Sequence, residues 1–468
     1  MKIDQNCFYQ SLLKFKGGEI PPRNNISDYL PYRNSRSVKV NDFSYSHVAG
    51  RLISHLAQKK LPTKFTLEDL STEVIKELQE HTVEGELGEL AKNIYFTGSD
   101  GLNKLSPLFL ILNTEKGGEK VSKKSEHLAD LFCASIGLDR CVVVEPTFNF
   151  IEAIVVEKYT DKLEDISTGE PDILPYLPFL SDSFQKDIAF LCAKPQFLLE
   201  KIEDFIGLYN FLYCTQLGAN ICNWKSGEPE PAEHYFIIDT EKCSAERKAS
   251  RSYRELRQSV ENIFPMLTLV HELNNTLDES IPSMPLWKVA EVIQSLSAEE
   301  QSSLSEALSD YAERFSNTPD ITENGRGLLP RERSTYSEGV IGDLELLVQY
   351  SMDQFDQSRE YKSSSRHEMK SIKYLRPFEQ QVAKHFVQTR GRLGKVLVIN
   401  QDYLLMLTNI VIGENEEMRL QEILSEFELR GVYLDKRSQL SLITFYERIG
   451  NIKRMSDSGD AVYVKSTI

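Results

Sequence analysis

The sequence predicts a mixed α/β, helix-rich, multidomain protein with a C-terminal winged helix-turn-helix. Three observations carry that expectation. Apolar residues recur at helical spacing, as in Leu67, Leu70, Val74 and Leu78. Between residues 127 and 275, helical stretches alternate with short strand-like runs, the pattern of an α/β core rather than a bundle. The tail RGVYLDKRSQLSLITFYERIGNIKRMSDSGDAVYVKSTI reads as a helix followed by two short apolar strands around Asp457, Ser458, Gly459 and Asp460. Helix and then wing is the order in which a winged helix-turn-helix closes.

The elements follow in chain order. Residues 1–64 read as a short helix, a turn at Pro21, Pro22, Asn24 and Asn25, and a helix through His47–Lys60. Thr66 suits an N-cap for helical periodicity over Thr66–Ile94. Thr114–Ser125 is a polar Gly/Lys connection. His127–Ile136 predicts a helix and Arg140–Glu145 a buried strand, with another apolar stretch at Phe148–Val156. Gln196–Leu217 predicts a long aromatic-rich helix, Tyr235–Asp239 a strand, and Ala245–Phe264 a helix carrying Arg247, Lys248, Arg251, Arg254 and Arg257. Trp287–Leu296 and Ala298–Phe315 predict two helices, the second with an acidic first turn at Glu299 and Glu300. Asn317–Tyr336 has linker composition, Ile341–Ser358 is helical, and Ser363–His367 is a second flexible point. These shifts divide the chain into a basic segment (1–64), an α/β core (65–275), an acidic helical region (285–362) and a winged-helix domain (370–468).

Within the last unit, Leu375–Thr389 predicts one helix begun near Pro377, and Lys395–Ile399 a strand. Asn400 caps a helix through Ile412, and Glu414–Leu429 predicts the next, stopped by Gly431. Val432–Leu434 is a short strand. Asp435 caps the helix Lys436–Ile449, which Gly450 ends. Ile452–Met455 and Val462–Lys465 pair as the wing. On the helix, Leu442, Phe445, Tyr446 and Ile449 share the expected core face. Arg437, Ser441, Thr444 and Arg448 share the other, a mix of long donors and hydroxyls suited to phosphates or base edges. Lys436, with Lys453 and Arg454 in the wing and Arg390 and Arg392 upstream, completes the candidate nucleic-acid surface.

Size and composition bound the function. The 468 residues are 41% hydrophobic and 26% charged, ordinary values for folded domains. No apolar run reaches membrane length; Leu105–Leu112 and Cys141–Val144 are only strand-sized. The start MKIDQNCFYQ lacks a signal-peptide core, so a cytoplasmic protein without a membrane partner is expected. Seven cysteines without a C-x-x-C pair read as reduced thiols. The net charge of −16 is unevenly placed: +7 over 1–64, +7 over 359–395, −3 over 396–468 and −27 over 65–358. Basic stretches near both ends attract nucleic acid, and the acidic middle repels it.

Catalytic motifs are missing. The only Gly–Lys step, Gly394–Lys395, is followed by Val396, which rules out a phosphate-binding P-loop. There is no H-E-x-x-H, no G-x-S-x-G and no Cys/His metal spacing, so neither cofactor nor metal is expected and intrinsic activity is not. One constellation stands out in YFIIDTEKCSAERK, Tyr235–Lys248. Asp239, Glu241, Lys242, Arg247 and Arg251 make a candidate polar or anion site just past a strand end, with structural salt bridging as the plainer alternative. Asp239 with Glu246 and Lys248 loosely fits a metal-dependent nuclease.

The tail, together with YFIIDTEKCSAERK, resembles the DNA phosphorothioation-dependent restriction protein DptG family, most clearly over 370–468 and more weakly over 232–260. The resemblance implies a bacterial defence subunit that works on double-stranded DNA with DptF- and DptH-like ATPase/helicase partners. That assembly attacks DNA lacking the host's sulfur-for-oxygen backbone modification. The expected function is therefore a non-catalytic DNA-contacting or scaffold subunit. A nuclease subunit, a winged-helix transcription regulator and a wing that binds protein rather than DNA are the alternatives.

Overall fold

A computed structural model describes residues 3–20, 29–30, 44–81, 86–97, 99–115, 123–135, 141–166, 172–318, 327–355, 374–454 and 462–468. Its helices are α1 (Gln5–Leu13), α2 (Tyr45–Ala57), α3 (Leu67–His81), α4 (Glu86–Ala91), α5 (Ser99–Asn103), α6 (Lys123–Asp130), α7 (Phe150–Lys162), α8 (Pro178–Ala193), α9 (Pro195–Asn220), α10 (Ala249–Thr276), α11 (Leu286–Ser295), α12 (Ala298–Asn317), α13 (Gly339–Asp353), α14 (Gln401–Ile412), α15 (Leu420–Leu429) and α16 (Lys436–Ile449). Its strands are β1 (Lys59–Lys60), β2 (Glu164–Asp165), β3 (His234–Ile238), β4 (Val387–Thr389), β5 (Lys395–Ile399), β6 (Glu417–Arg419), β7 (Val432–Leu434), β8 (Ile452–Arg454) and β9 (Val462–Lys465). The fold is helix-rich with small sheets, and the mixed α/β class holds.

One buried cluster runs from Phe8 to Val464. Helix α9 lies at its heart: almost every side chain from Ile202 to Gly218 is buried, too apolar all round for a surface helix. Phe211 of α9 stacks on Phe386 at 4.4 Å, and Phe184 of α8 meets Tyr209 edge-on at 4.9 Å. The fully buried Arg430, at the end of α15, donates to both carboxylate oxygens of Asp187 in α8 at 2.8 and 2.6 Å. This bidentate pair ties the tail to the helical body.

Strands β4–β5–β3–β7 form one sheet in that order. β3 runs parallel to β5 (Ile237 beside Val398) and to β7 (Tyr235 beside Tyr433), and β4 is the antiparallel edge. The sequences HYFII and KVLVI are apolar at nearly every position because both faces are covered. Ile237, Val396 and Val398 pack with Ala249 on one face, while Phe236, Ile238, Leu397 and Ile399 join the main cluster on the other. This sheet joins the 232–260 segment to residues 387–434. A second sheet has the order β6–β9–β8, all antiparallel.

Several elements depart from expectation. Leu375–Thr389 is not one helix: a wide helical turn at Phe378–Val382 stops, and Val387–Thr389 turns back onto β5. Gly391 (φ 52°) and Gly394 (φ 76°) supply the left-handed backbone of that turn. Glu414–Leu429 is not one helix either. Gly413 (φ 63°) ends α14, Glu417–Arg419 pairs with β9, and α15 begins where Glu422 accepts from the Arg419 amide. The buried strand at Arg140–Glu145 is absent where described: Cys141–Asn149 has no regular structure, and Val142 is 82% exposed. Its Val144 amide finds only the Cys192 carbonyl, so no strand forms. The expected helix Ala245–Phe264 begins later, at Ala249, and runs to Thr276. Ile449, expected in the core, is 40% exposed in the last turn of α16. The turn at Pro21–Asn25, the Ser363–His367 point, residues 359–373 of the basic stretch and the Asp457–Asp460 turn lie outside the described residues.

Candidate nucleic-acid interface

Because β3, β5 and β7 are parallel, their C-terminal ends share one edge of the sheet. The chain returns beside β3 first as β5 and then, on the opposite flank, as β7. Connections diverge across β3, and such a divergence opens a crevice beyond the strand ends. Three segments distant in sequence meet there: Asp239–Lys248 after β3, Asn400–Gln401 after β5, and Asp435–Arg437 after β7.

Local chemistry shapes each wall. The Asp239 amide extends the ladder by donating to the Ile399 carbonyl, and Glu241 folds back so that its carboxylate accepts from the Ile238 amide at 2.8 Å. Asn400 caps α14 by accepting from the Tyr403 amide, and Asp435 caps α16 by accepting from the Arg437 and Ser438 amides. Two helix N-termini, each with partial positive charge, therefore start at this edge.

Arg247 holds the walls together. Its side chain is only 4% exposed, and each of its five N–H groups is used. Nε and Nη2 donate to the Asp435 carboxylate at 2.9 and 2.7 Å, and Nη2 also to Ser438 Oγ at 2.6 Å. Nη1 donates to Glu241 Oε2 at 2.8 Å and to the Lys242 carbonyl at 3.2 Å. Burial works against ionisation of Asp435, but the Arg247 bonds and the helix amides outweigh it and hold that carboxyl below its usual range. Arg247 therefore fastens the β3 loop to the cap of α16 and keeps no donor for an anion.

Between these walls lies a cleft of about 390 Å³. Thr240, Glu241 and Lys242 line one side, Gln401 contributes from α14, and Arg437, Leu440, Ser441, Thr444, Phe445 and Arg448 of α16 form the other. The two candidate groups expected separately, 239–251 and 436–448, thus meet in one place. Glu241 and Asp435 are engaged by Arg247, whereas Lys242, Arg437 and Arg448 are exposed with side chains that make no ion pair or hydrogen bond among the described residues. The cleft therefore carries an excess of positive charge.

The remaining candidates lie elsewhere. Lys436 is exposed at the start of α16, outside the cleft, and Arg251 is on an exposed face of α10. Arg390 Nη2 donates to the Asp239 carbonyl at 2.6 Å, leaving its buried Nε and Asp239 Oδ1 without partners. Arg392 is exposed in the β4–β5 turn. Lys453 pairs with Glu417 at 3.0 Å, and Arg454 ends β8. Lys248 reaches the Tyr235 hydroxyl at 2.6 Å rather than Asp239.

Sequence reasoning missed Thr240, Gln401 and Leu440 as lining residues. Only the parallel pairing of β3 with β5 would have pointed to Gln401. Among the described residues no cluster of three or more His, Cys, Asp or Glu side chains is placed to hold a metal ion, and no helix is long and apolar enough to cross a membrane. No protein-family model matches this chain, and no curated protein matches it.

Proposed function

We propose that this protein is a non-catalytic, DNA-contacting subunit of a phosphorothioation-dependent restriction complex, and that it grips phosphates in the cleft beside α16. One observation carries the reading: Lys242, Arg437 and Arg448, from two separate segments, line a single cleft without partners among the described residues, beside the Ser441 and Thr444 hydroxyls. Cations without partners among the described residues, next to hydroxyls, suit phosphate oxygens, although Thr444 Oγ1 already donates to the Leu440 carbonyl at 3.1 Å.

The order α14–β6–α15–β7–α16–β8–β9, with β9 between β6 and β8, supports reading the tail as a winged helix. In this reading α16 is the recognition helix and β8–β9 the wing, and β7 inserts between the second and third helices to dock the module on the parallel sheet. The likeness to the DptG family supports the restriction setting, in which DptF- and DptH-like partners supply ATP hydrolysis and translocation.

The test is the salt dependence of binding to a duplex with a single-stranded tail. Arg437→Ala with Arg448→Ala should weaken binding and flatten the slope of log K against log salt by about 0.7–0.9 per lost phosphate contact. An unchanged slope would remove DNA from this cleft and leave α16 as a protein-binding surface.

A further inference from the structure

The shape of the cleft says more than its charge. A recognition helix reads duplex DNA by entering the major groove, roughly 12 Å wide, and needs its reading face clear of other protein. The face of α16 that carries Arg437, Ser441, Thr444 and Arg448 instead looks across the cleft at Thr240–Lys242. Arg247 fastens that loop to the helix cap through buried bonds, so the opposing wall is held in place. The space between is nucleotide-sized, at about 390 Å³.

The lining is not uniformly polar. Leu440 is 65% exposed on the cleft side of α16, and the largely buried Phe445 also lines the cleft. Gln401 adds a side-chain amide able both to donate and to accept. Cations and hydroxyls next to an apolar patch with one amide match the two halves of a nucleotide, an anionic phosphate and a flat base with polar edges.

We infer that the cleft takes one unpaired nucleoside phosphate, with the phosphate against Lys242, Arg437 and Arg448 and the base over Leu440 within reach of Gln401. This rests on the reading that DNA phosphates are held here, and it adds that the strand held is single. Its source is a strand opened by a translocating partner or a free nucleotide, and the two share the same chemistry.

The experiment compares the full-length protein's affinity for a short single-stranded oligonucleotide, the blunt duplex of the same sequence, and dAMP. Ser441→Phe fills the cleft without changing its charge, and Thr444→Phe serves if that variant melts early. The expected result is single-strand binding tighter than duplex binding by about a hundredfold, a preference abolished by the filled cleft. Binding of dAMP as tight as the oligonucleotide, and equally lost on filling, identifies a free nucleotide as the occupant and upholds the site. Equal affinity for single strand and duplex overturns the inference, as does a single-strand preference that survives the filled cleft. Either outcome does so even where Arg437→Ala with Arg448→Ala has shown that phosphates are held here.

Discussion

Replacing Arg247 with methionine tests whether the cleft is built as described, because it removes all five N–H donors while keeping a flexible side chain of moderate length. Arg247, Glu241 and Asp435 have side-chain exposures of 4%, 7% and 15%, so the group sits in the regime of buried ion pairs. Deleting one partner of such a pair costs about 3–5 kcal/mol, mostly by stranding the other charges. The lower end applies here. Asp435 keeps the Arg437 and Ser438 amides, and Glu241 keeps the Ile238 amide. Equilibrium urea unfolding should therefore show a loss of about 3 kcal/mol. A cycle with Asp435→Asn should return a coupling of about 1–3 kcal/mol. The acid limb supplies an independent check. The folded Asp435 carboxyl lies below its ordinary value of 3.8, so its contribution is full above that value and disappears as pH falls below it. In Arg247→Met that loss should flatten. A destabilisation under about 1 kcal/mol, with negligible coupling, would refute the idea that Arg247 fastens the loop to α16.

Two other perturbations probe the framework. Burial raises the Glu272 carboxyl from its usual 4.5 to about 7. Between those values the folded state holds a proton at Glu272 that the unfolded state has lost, so the Glu272 contribution to stability falls as pH rises from 4.5 to about 7, against the opposite contribution of the buried His234. Glu272→Gln should raise urea midpoints relative to the wild type progressively as pH rises across that window, and a difference that stays constant with pH would refute the assignment to Glu272. Gly431 has φ 81°, and a Cβ there would overlap Gln216 Nε2. Gln216 in turn pairs both ways with the backbone of Ala232, just before β3. Gly431→Ala should cost at least about 2 kcal/mol in urea unfolding, from left-handed strain together with the displaced glutamine; a neutral result would mean the β3–β7 joint is soft.

Much of the tail was legible because its signals are local. Asp435 caps α16, Gly450 (φ 77°) ends it, and Val462–Lys465 pairs with Ile452–Arg454. Each depends on a residue acting within a few positions of itself. The joining of the two candidate sites left no such trace. Parallel pairing of Tyr235 with Tyr433 spans almost two hundred residues, and three residues of β7 carry no pattern that names a partner. The same limit hid the role of Arg247. In the sequence it resembles Arg251, and only burial against Asp435 separates a structural arginine from an exposed one. Leu375–Thr389 misled for a related reason: Val387–Thr389 becomes a strand because β5 offers an open edge, a cause that lies outside the segment.

Under the proposed reading, the position of Arg247 decides how α16 would meet DNA. Groove entry by this helix requires Thr240–Lys242 to swing away, and that motion breaks the bonds from Arg247 either to Glu241 and the Lys242 carbonyl or to Asp435. A duplex must therefore recover a cost of about 3 kcal/mol, a hundredfold or more in affinity, before it gains any contact with α16. In the proposed mode a single strand bears no such cost, because it would lie in the cleft with the fastening intact. The two modes respond to Arg247→Met with opposite sign. In the proposed mode, loosening the loop removes a wall from a bound single strand and removes an obstacle to a bound duplex, while Lys242, Arg437 and Arg448 stay in place.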